Sequence, residues 1–289
     1  MTKTMEYIRP KSLKEALQTL KSAKGRAKLI AGGTNVIPDM RAKALNSVVL
    51  VDIGHLRTLS YIKEGKGRVR IGGMTLISDL AASKVIQKVA PMLSEAARQV
   101  GNPLVRNRAT LAGNLADASP AADTAVPLLA LDASVLVESK EVKPRQIPLE
   151  RFFAGPNRTV LKRDEIIREI TFPKPKPAEK MAYTKLGLRN SMAISVVSLA
   201  VLIELEKGVC RKVRIGLGAV APKPMRAYGT EQILIGKEIS EKQIATCCEW
   251  VEGEISPITD IRASAEYRRT MVSVLLKRLL QKVTVVKRI

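Results

Sequence analysis

Aromatic side chains are scarce in this chain, where Phe, Trp and Tyr together make up 3% of 289 residues. Few platforms remain on which bases could stack, so single-stranded nucleic acid is a poor match despite a formal net charge of +22. Cysteine is sparse as well. Cys210, Cys247 and Cys248 form no C-x-x-C pair and neighbouring cysteines rarely bridge, which leaves a disulfide framework or a cysteine-held metal little to rest on. The sole histidine, His55, lies near a strand end and reads as a surface or packing residue. No apolar run approaches the ~20 residues of a membrane helix, and the first residues carry no signal-peptide core. The expectation is a soluble, cytoplasmic protein with no membrane insertion.

What the chain has in excess is positive charge, with 49 Lys plus Arg against 27 Asp plus Glu. These residues are scattered rather than gathered in one arm, which favours a solvated surface attractive to acidic protein partners over a nucleic-acid interface. The length suits two or three domains, and a hydrophobic content of 46% is that of an ordinary globular protein.

Periodicity predicts the elements. Ser12 and Glu15 form a capping box before a helix with Leu13, Ala16, Leu17 and Leu20 on one face, stopped by Gly25. A short strand over 28–30, a helical turn around Pro38 and a buried strand over 48–53 make a small β-α-β-like unit. Residues 60–63 and 68–71 flank Gly65-Lys66-Gly67 as a hairpin. Helices are predicted over 76–83 and 91–100, the second opened by Pro91 and stopped by Gly101, with strands over 134–138 and 166–172. The alternating prolines of 173–180 read as an extended linker. Beyond it come strands over 181–186, 194–206 and 213–219, a capping box at Ser240 and Gln243, and a helix over 267–282. Trp250 and Tyr267 fall on helical stripes and read as core. The class is α+β.

Two stretches look built to press backbone against a ligand. One is Ala31-Gly32-Gly33-Thr34-Asn35-Val36, where consecutive glycines at a strand end can turn amides toward an anion. The other is the small-residue run 110–123, in which Thr110, Asn114, Ser119 and Asp123 supply polar groups. Together they suggest a dinucleotide held by irregular backbone. The alternatives are an ordinary turn for the first, and a loop feeding a helix capped by Ser119 or Asp123 for the second. Gly216-Leu217-Gly218 imitates a dinucleotide fingerprint, but Pro222 and Pro224 forbid the helix that must follow.

The sequences A-G-G-T-N at 31–35, I-G-G-M-T at 71–75, R-N-R-A-T-L-A-G-N at 106–114 and A-S-P-A-A-D at 118–123 resemble the FAD-binding medium subunit of the molybdenum hydroxylases, the xanthine dehydrogenase and carbon monoxide dehydrogenase family. The resemblance continues through D-E-I-I at 164–167, Tyr183-Thr184-Lys185 and Arg189, and ends in D-I-R-A-S-A-E-Y-R-R at 260–269. It covers essentially the whole chain.

That resemblance implies a two-subdomain FAD-binding domain of the vanillyl-alcohol-oxidase-like type (1–55 and 56–175) followed by a C-terminal α+β domain (176–289). It implies an oxidoreductase subunit that passes electrons from [2Fe–2S] clusters in a small partner subunit through FAD to a soluble acceptor, with molybdopterin in a large partner subunit. Cofactor contacts fall by resemblance on Ala31, Gly32, Gly33, Thr34, Asn35, Val36, Gly101, Thr110, Ala112, Gly113, Asn114, Asp123, Ile167 and Lys185. Asp123 is expected at a sugar hydroxyl, Ile167 beside the flavin ring and Lys185 near its pyrimidine end, where a cation raises the flavin potential. The alternative for Lys185 is a solvated lysine on a strand.

Three positions depart from the pattern. Ala112 stands where a second glycine is common, Val100 where some relatives carry a stacking aromatic, and Ala193-Ile194 where relatives carry an aromatic or acidic residue. No cysteine precedes Cys210, so no iron–sulfur cluster is expected in this chain. A stand-alone flavin oxidoreductase would need an acid or base near the flavin, and none can be named. A basic nucleic-acid-binding protein would bind with steep salt dependence and no visible absorbance.

Overall fold

The computed structural model describes residues 5–42 and 49–284. The first unit is built on the helix Leu13–Ser22. Ser12 Oγ accepts from the Glu15 amide at 3.2 Å, and the Glu15 carboxylate accepts from the Lys11 amide at 2.7 Å, so the helix start is fixed from both sides. Ala16, Leu17 and Leu20 face inward. Strands β1 (Glu6–Ile8), β2 (Ala27–Ile30) and β3 (Val49–Asp52) form a parallel sheet in the order β1-β3-β2. The run Val49-Leu50-Val51 is buried throughout, as befits its central place. Residue 48, predicted to begin this strand, lies outside the described residues.

Strands β4 (Ile62–Glu64), β5 (Arg68–Gly72), β6 (Ser134–Glu138) and β7 (Arg145–Pro148) come next, then a small hairpin of β8 (Phe153–Gly155) and β9 (Arg158–Thr159), then β10 (Ile166–Pro173). Five of them pair antiparallel in the order β4-β5-β10-β6-β7. Helices Ile77–Ala82, Lys84–Val89, Pro91–Arg98, Leu111–Asp117 and Ala125–Ala130 bury their apolar faces in the same core.

The third sheet runs β11 (Glu179–Leu186), β12 (Val197–Glu206), β13 (Val209–Gly218) and β14 (Met225–Arg226), all antiparallel. It separates two cores. Ala200 and Leu202 join the first, while Leu199, Val201 and Ile203 join a second core under helices Tyr228–Leu234, Glu241–Glu254 and Ala265–Thr284. Successive strand residues point to opposite faces, so a strand covered on both sides reads as a near-continuous apolar run, as Leu199–Ile203 does. A Cβ on Gly216 would lie 2.3 Å from the Val126 carbonyl oxygen, and one on Gly218 2.6 Å from Val126 Cγ2. Those glycines therefore seat Ala125–Ala130 against β13, which explains the false fingerprint as close packing.

The extended stretch 173–180 is tied down at both ends: the Lys174 amide donates to Gly67 O at 3.0 Å, and the Lys176 amide to Glu179 Oε2 at 2.8 Å. Several expectations need correction. Trp250 and Tyr267 are 55% and 47% exposed, not core, because the buried stripes of their helices run through Cys247, Val251, Val272 and Leu276. The strand predicted from residue 194 begins at Val197. The motif at 260–269 proves to be a clamp: buried Arg268 donates to Val196 O at 2.7 Å, Ala219 O at 3.0 Å and Asp260 Oδ1 at 2.8 Å.

Candidate cofactor site

The glycine loop leaves β2 at Ile30 and enters the short helix Val36–Arg41. Gly33 adopts φ +75°, open to glycine at little cost. Gly32 is needed for a different reason: a Cβ there would fall 1.8 Å from the Arg108 carbonyl oxygen, so the loop lies directly on the chain leading into Thr110. The amides of Gly32, Gly33, Thr34 and Asn35 have no protein acceptor among the described residues. Asn35 precedes the helix without a side-chain cap, which leaves its carboxamide free and exposed.

The second segment is more ordered than expected. Its first half is a helix, not irregular backbone: Thr110 Oγ1 accepts from the Gly113 amide at 3.1 Å and opens Leu111–Asp117, which stops at Ala118 with φ +51°. The Leu111 amide donates to Thr75 O at 2.9 Å and the Ala112 amide to Gly73 O at 3.0 Å. The amides at its start are thus consumed by the protein, and side chains remain to meet a ligand. Neither Ser119 nor Asp123 caps the next helix, whose preceding residue is Thr124.

The Ala112 methyl has its own accommodation. A Cβ on Gly73 would lie 3.2 Å from Ala112 Cβ and 2.3 Å from the carbonyl oxygen of Ile167, so absence of a side chain at Gly73 admits both neighbours. Ile167 itself is buried on β10 beside a bulge. Asn114 Oδ1 accepts from buried Thr124 at 2.5 Å, which leaves its amide nitrogen without an acceptor among the described residues.

Next to Thr124 stands Asp123, the hub of a buried polar cluster. Its Oδ2 accepts from Lys185 at 2.6 Å, and its Oδ1 from Ser195 at 2.6 Å and Tyr183 at 3.2 Å. Lys185 also donates to Gln99 O at 3.0 Å. With side-chain exposures of 5% and 9%, Lys185 and Asp123 form a desolvated ion pair, which overturns the solvated-lysine alternative. Burial pushes the Asp123 carboxyl upward, opposed by the Lys185 ammonium and then by the Ser195 and Tyr183 hydroxyls. Burial, reinforced by Asp123, pushes the Tyr183 phenol well above its ordinary value and keeps it a donor. Gly101, at φ +50°, lies two residues past Gln99 and accepts from the Met192 amide at 3.3 Å.

The predicted residues therefore form one connected set. Residues 31–36 rest on Arg108, Ala112 meets Gly73 and Ile167, and Asn114 reaches Thr124 beside the Asp123–Lys185 pair. Sequence reasoning assigned no role to Tyr183, Ser195, Thr124 or Gly73. The i, i+2 spacing of Tyr183 and Lys185 on one strand face was the available signal for the first. A separate open cavity of about 780 Å³, lined by residues such as Lys14, Tyr61, Glu138 and Arg168, touches none of the predicted set.

Comparison with known proteins decides the family. Residues 3–175 match the FAD binding domain in molybdopterin dehydrogenase, and residues 182–283 the CO dehydrogenase flavoprotein C-terminal domain. The chain belongs to the FAD-binding medium subunits of the molybdenum hydroxylases. It is 32% identical to the carbon monoxide dehydrogenase medium chain of Hydrogenophaga pseudoflava, over 95% of each chain. It is 31% identical to the glyceraldehyde dehydrogenase medium chain of Sulfolobus acidocaldarius, covering 93% of this chain and 94% of that one. Among solved structures, carbon monoxide dehydrogenase of Hydrogenophaga pseudoflava superposes with a TM-score of 0.93 at 31% identity over 97% of both chains. Quinoline 2-oxidoreductase of Pseudomonas putida gives 0.91 at 27% identity over 97% of both.

The residues of this medium subunit fit its family's cofactor. Four successive unpaired amides and a left-handed glycine suit an anion such as a pyrophosphate. A carboxamide nitrogen at Asn114 with no acceptor among the described residues adds a neutral donor, and Lys185 adds a buried ammonium whose charge is shared with Asp123. Among the described residues no membrane-length apolar helix and no group of three metal-ligating side chains occurs.

Proposed function

We propose that this medium subunit is an electron relay, taking electrons from [2Fe–2S] clusters of a small partner subunit and passing them through FAD to a soluble acceptor, while a large molybdopterin subunit oxidises the substrate. The observation that supports the reading is the run of acceptor-free amides from Gly32 to Asn35, laid against the chain that carries Asn114 and leads to the Asp123–Lys185 pair. Bound FAD supplies a centre that takes up electrons from one-electron donors and releases them to an acceptor.

The chain's own residues do the rest. Ala31, Gly32, Gly33, Thr34, Asn35 and Val36 hold the pyrophosphate through amides and short side chains. Asn114 adds a donor, while Thr110, Ala112 and Gly113 set the backbone that carries it. Ile167 and Gly101 border the flavin ring, and Lys185 supplies positive charge that stabilises the reduced form. Asp123 positions Lys185, with one carboxylate oxygen on the ammonium and the other on Ser195 and Tyr183. We assign residues 1–55 and 56–175 to the two cofactor-holding parts and 176–289 to the domain that brings Lys185 to them, in a cytoplasmic complex. The relatives named as medium chains favour such an assembly over a stand-alone flavin enzyme.

The test is purification of a tagged chain from its own cells. Co-purification with molybdenum, iron–sulfur and flavin-bearing fractions in fixed ratio is the expected result. A flavin-loaded chain that purifies alone and oxidises a substrate by itself would refute the relay.

A further inference from the structure

Beside Lys185, at the rim of the proposed cofactor site around Gly101, the chain exposes a surface of apolar and basic side chains. Residues 99–108 and 187–195 meet there: the Met192 amide donates to Gly101 O at 3.3 Å, and the Asn102 carboxamide nitrogen lies 3.3 Å from Met192 Sδ. Four apolar side chains stand out from this junction, with Leu104 77%, Leu188 68%, Ile194 53% and Met192 50% exposed. Arg106, Arg108 and Arg189 belong to the same two segments. Arg106 is tied to Val100 O at 3.0 Å and Arg189 to Met192 O at 3.0 Å, so their charges are held in place by backbone.

None of these three arginines pairs with a carboxylate among the described residues, whereas Arg70, Arg145, Arg168 and Arg226 each do. The two segments contain no Asp or Glu at all. Asp123 beneath them is already paired with Lys185. The result is a small apolar centre with uncompensated positive charge around it, next to the proposed flavin site.

We propose that this surface docks an acidic one-electron carrier protein that reoxidises the flavin. The inference rests on the relay reading. Permanent subunit interfaces are large and apolar, whereas transient redox encounters are small and steered by complementary charge. An exposed patch of a few apolar side chains among unpaired arginines matches the second kind. The balance is simple: reduced FAD gives one electron to each of two oxidised carriers in turn, and its two protons leave to solvent. The carriers' metal centres are the oxidant.

The test uses the purified whole complex and an acidic [2Fe–2S] ferredoxin as probe, with NAD⁺ and a water-soluble quinone as other acceptors. Binding of oxidised ferredoxin is measured by calorimetry across a salt series, and reoxidation of dithionite-reduced flavin by stopped flow. We expect wild-type binding to weaken as salt rises, and R189E and R106E/R189E each to weaken it about tenfold or more while the quinone rate and flavin content hold. Ferredoxin binding that ignores both salt and the arginines overturns the proposal. So does loss of partner subunits in R189E, which would make the surface a subunit interface, and so does arginine-dependent reoxidation by NAD⁺ without ferredoxin binding. Absence of cluster-bearing subunits from the wild-type preparation would instead defeat the relay reading, at an earlier step.

Discussion

Lys185 Nζ lies 2.6 Å from Asp123 Oδ2, and the two side chains, 62 residues apart in sequence, bring β11 of the third sheet against the chain that follows Leu111–Asp117. Breaking such a pair from one side leaves an uncompensated buried charge, which costs about 3–5 kcal/mol. Lys185→Met should therefore lower stability to denaturant by that order, and Asp123→Asn on the same background should recover part of it. In the FAD-loaded complex, the single variant should also lower the flavin potential in a redox titration, since the ammonium we propose near the ring is gone.

Gly32→Ala places a methyl where the Arg108 carbonyl oxygen now sits. Backbone must move, and overpacking of this kind costs about 1–3 kcal/mol. We expect a lower melting temperature together with reduced flavin content. Ala at Gly67, where a Cβ meets nothing within 4 Å, is the control that should change neither.

Ala112→Gly removes the methyl that packs against Gly73. Ala112 is the second residue of its helix, so the change should cost less than the ~1 kcal/mol of an interior position. Flavin content should be unchanged, because the backbone at 112 is held by Gly73 O whichever residue is present. Quantitation of released flavin against protein checks this.

The cysteines should be inert in the folded chain. Burial pushes Cys210 up to about 11 and Cys247 up to about 12, the latter helped by its sulfur neighbours, and it raises Cys248 as well. Thiolate, the reactive form, is then scarce at about pH 8. A thiol-titrating disulfide reagent should find all three sulfurs in denaturant and react far more slowly without it.

Glu165 gives a pH signature. Burial raises its carboxyl, but the Arg145 guanidinium at 2.9 Å and the Lys162 amide at 2.8 Å outweigh that, so its pKa is lowered on balance. A lowered folded value means the stabilisation is present above the ordinary glutamate value of about 4.3 and is lost as pH falls through the lowered one. The stability gap between wild type and Glu165→Gln should therefore be open at neutral pH and close in acid, as read from denaturant midpoints across a pH series.

Much of this architecture was readable residue by residue. The Ser12–Glu15 box marks the first helix, and the apolar run from Leu199 to Ile203 marks a strand. Strands of two or three residues such as β1 and β14 carry too short a pattern to see. Trp250 misled because an apolar stripe was credited to its largest member. Its indole nitrogen instead sits 2.7 Å from where a Gly229 Cβ would be, at the rim of the helix pair. At the site, glycine pairs and polar groups among small residues were visible in one dimension. The Asp123 cluster was not, because Tyr183, Lys185 and Ser195 come from a strand and a loop some 60–72 residues downstream and meet only on folding.

The central claim is that FAD is held by residues 31–36 and 110–114 of this chain, and it is tested most directly by flavin stoichiometry in Thr34→Ala/Asn114→Ala. Both substitutions remove donors without filling space, and circular dichroism verifies the fold. The account predicts that the wild-type chain carries flavin in a one-to-one ratio and that the folded double variant loses most of it. A folded variant that keeps its full flavin complement would contradict it.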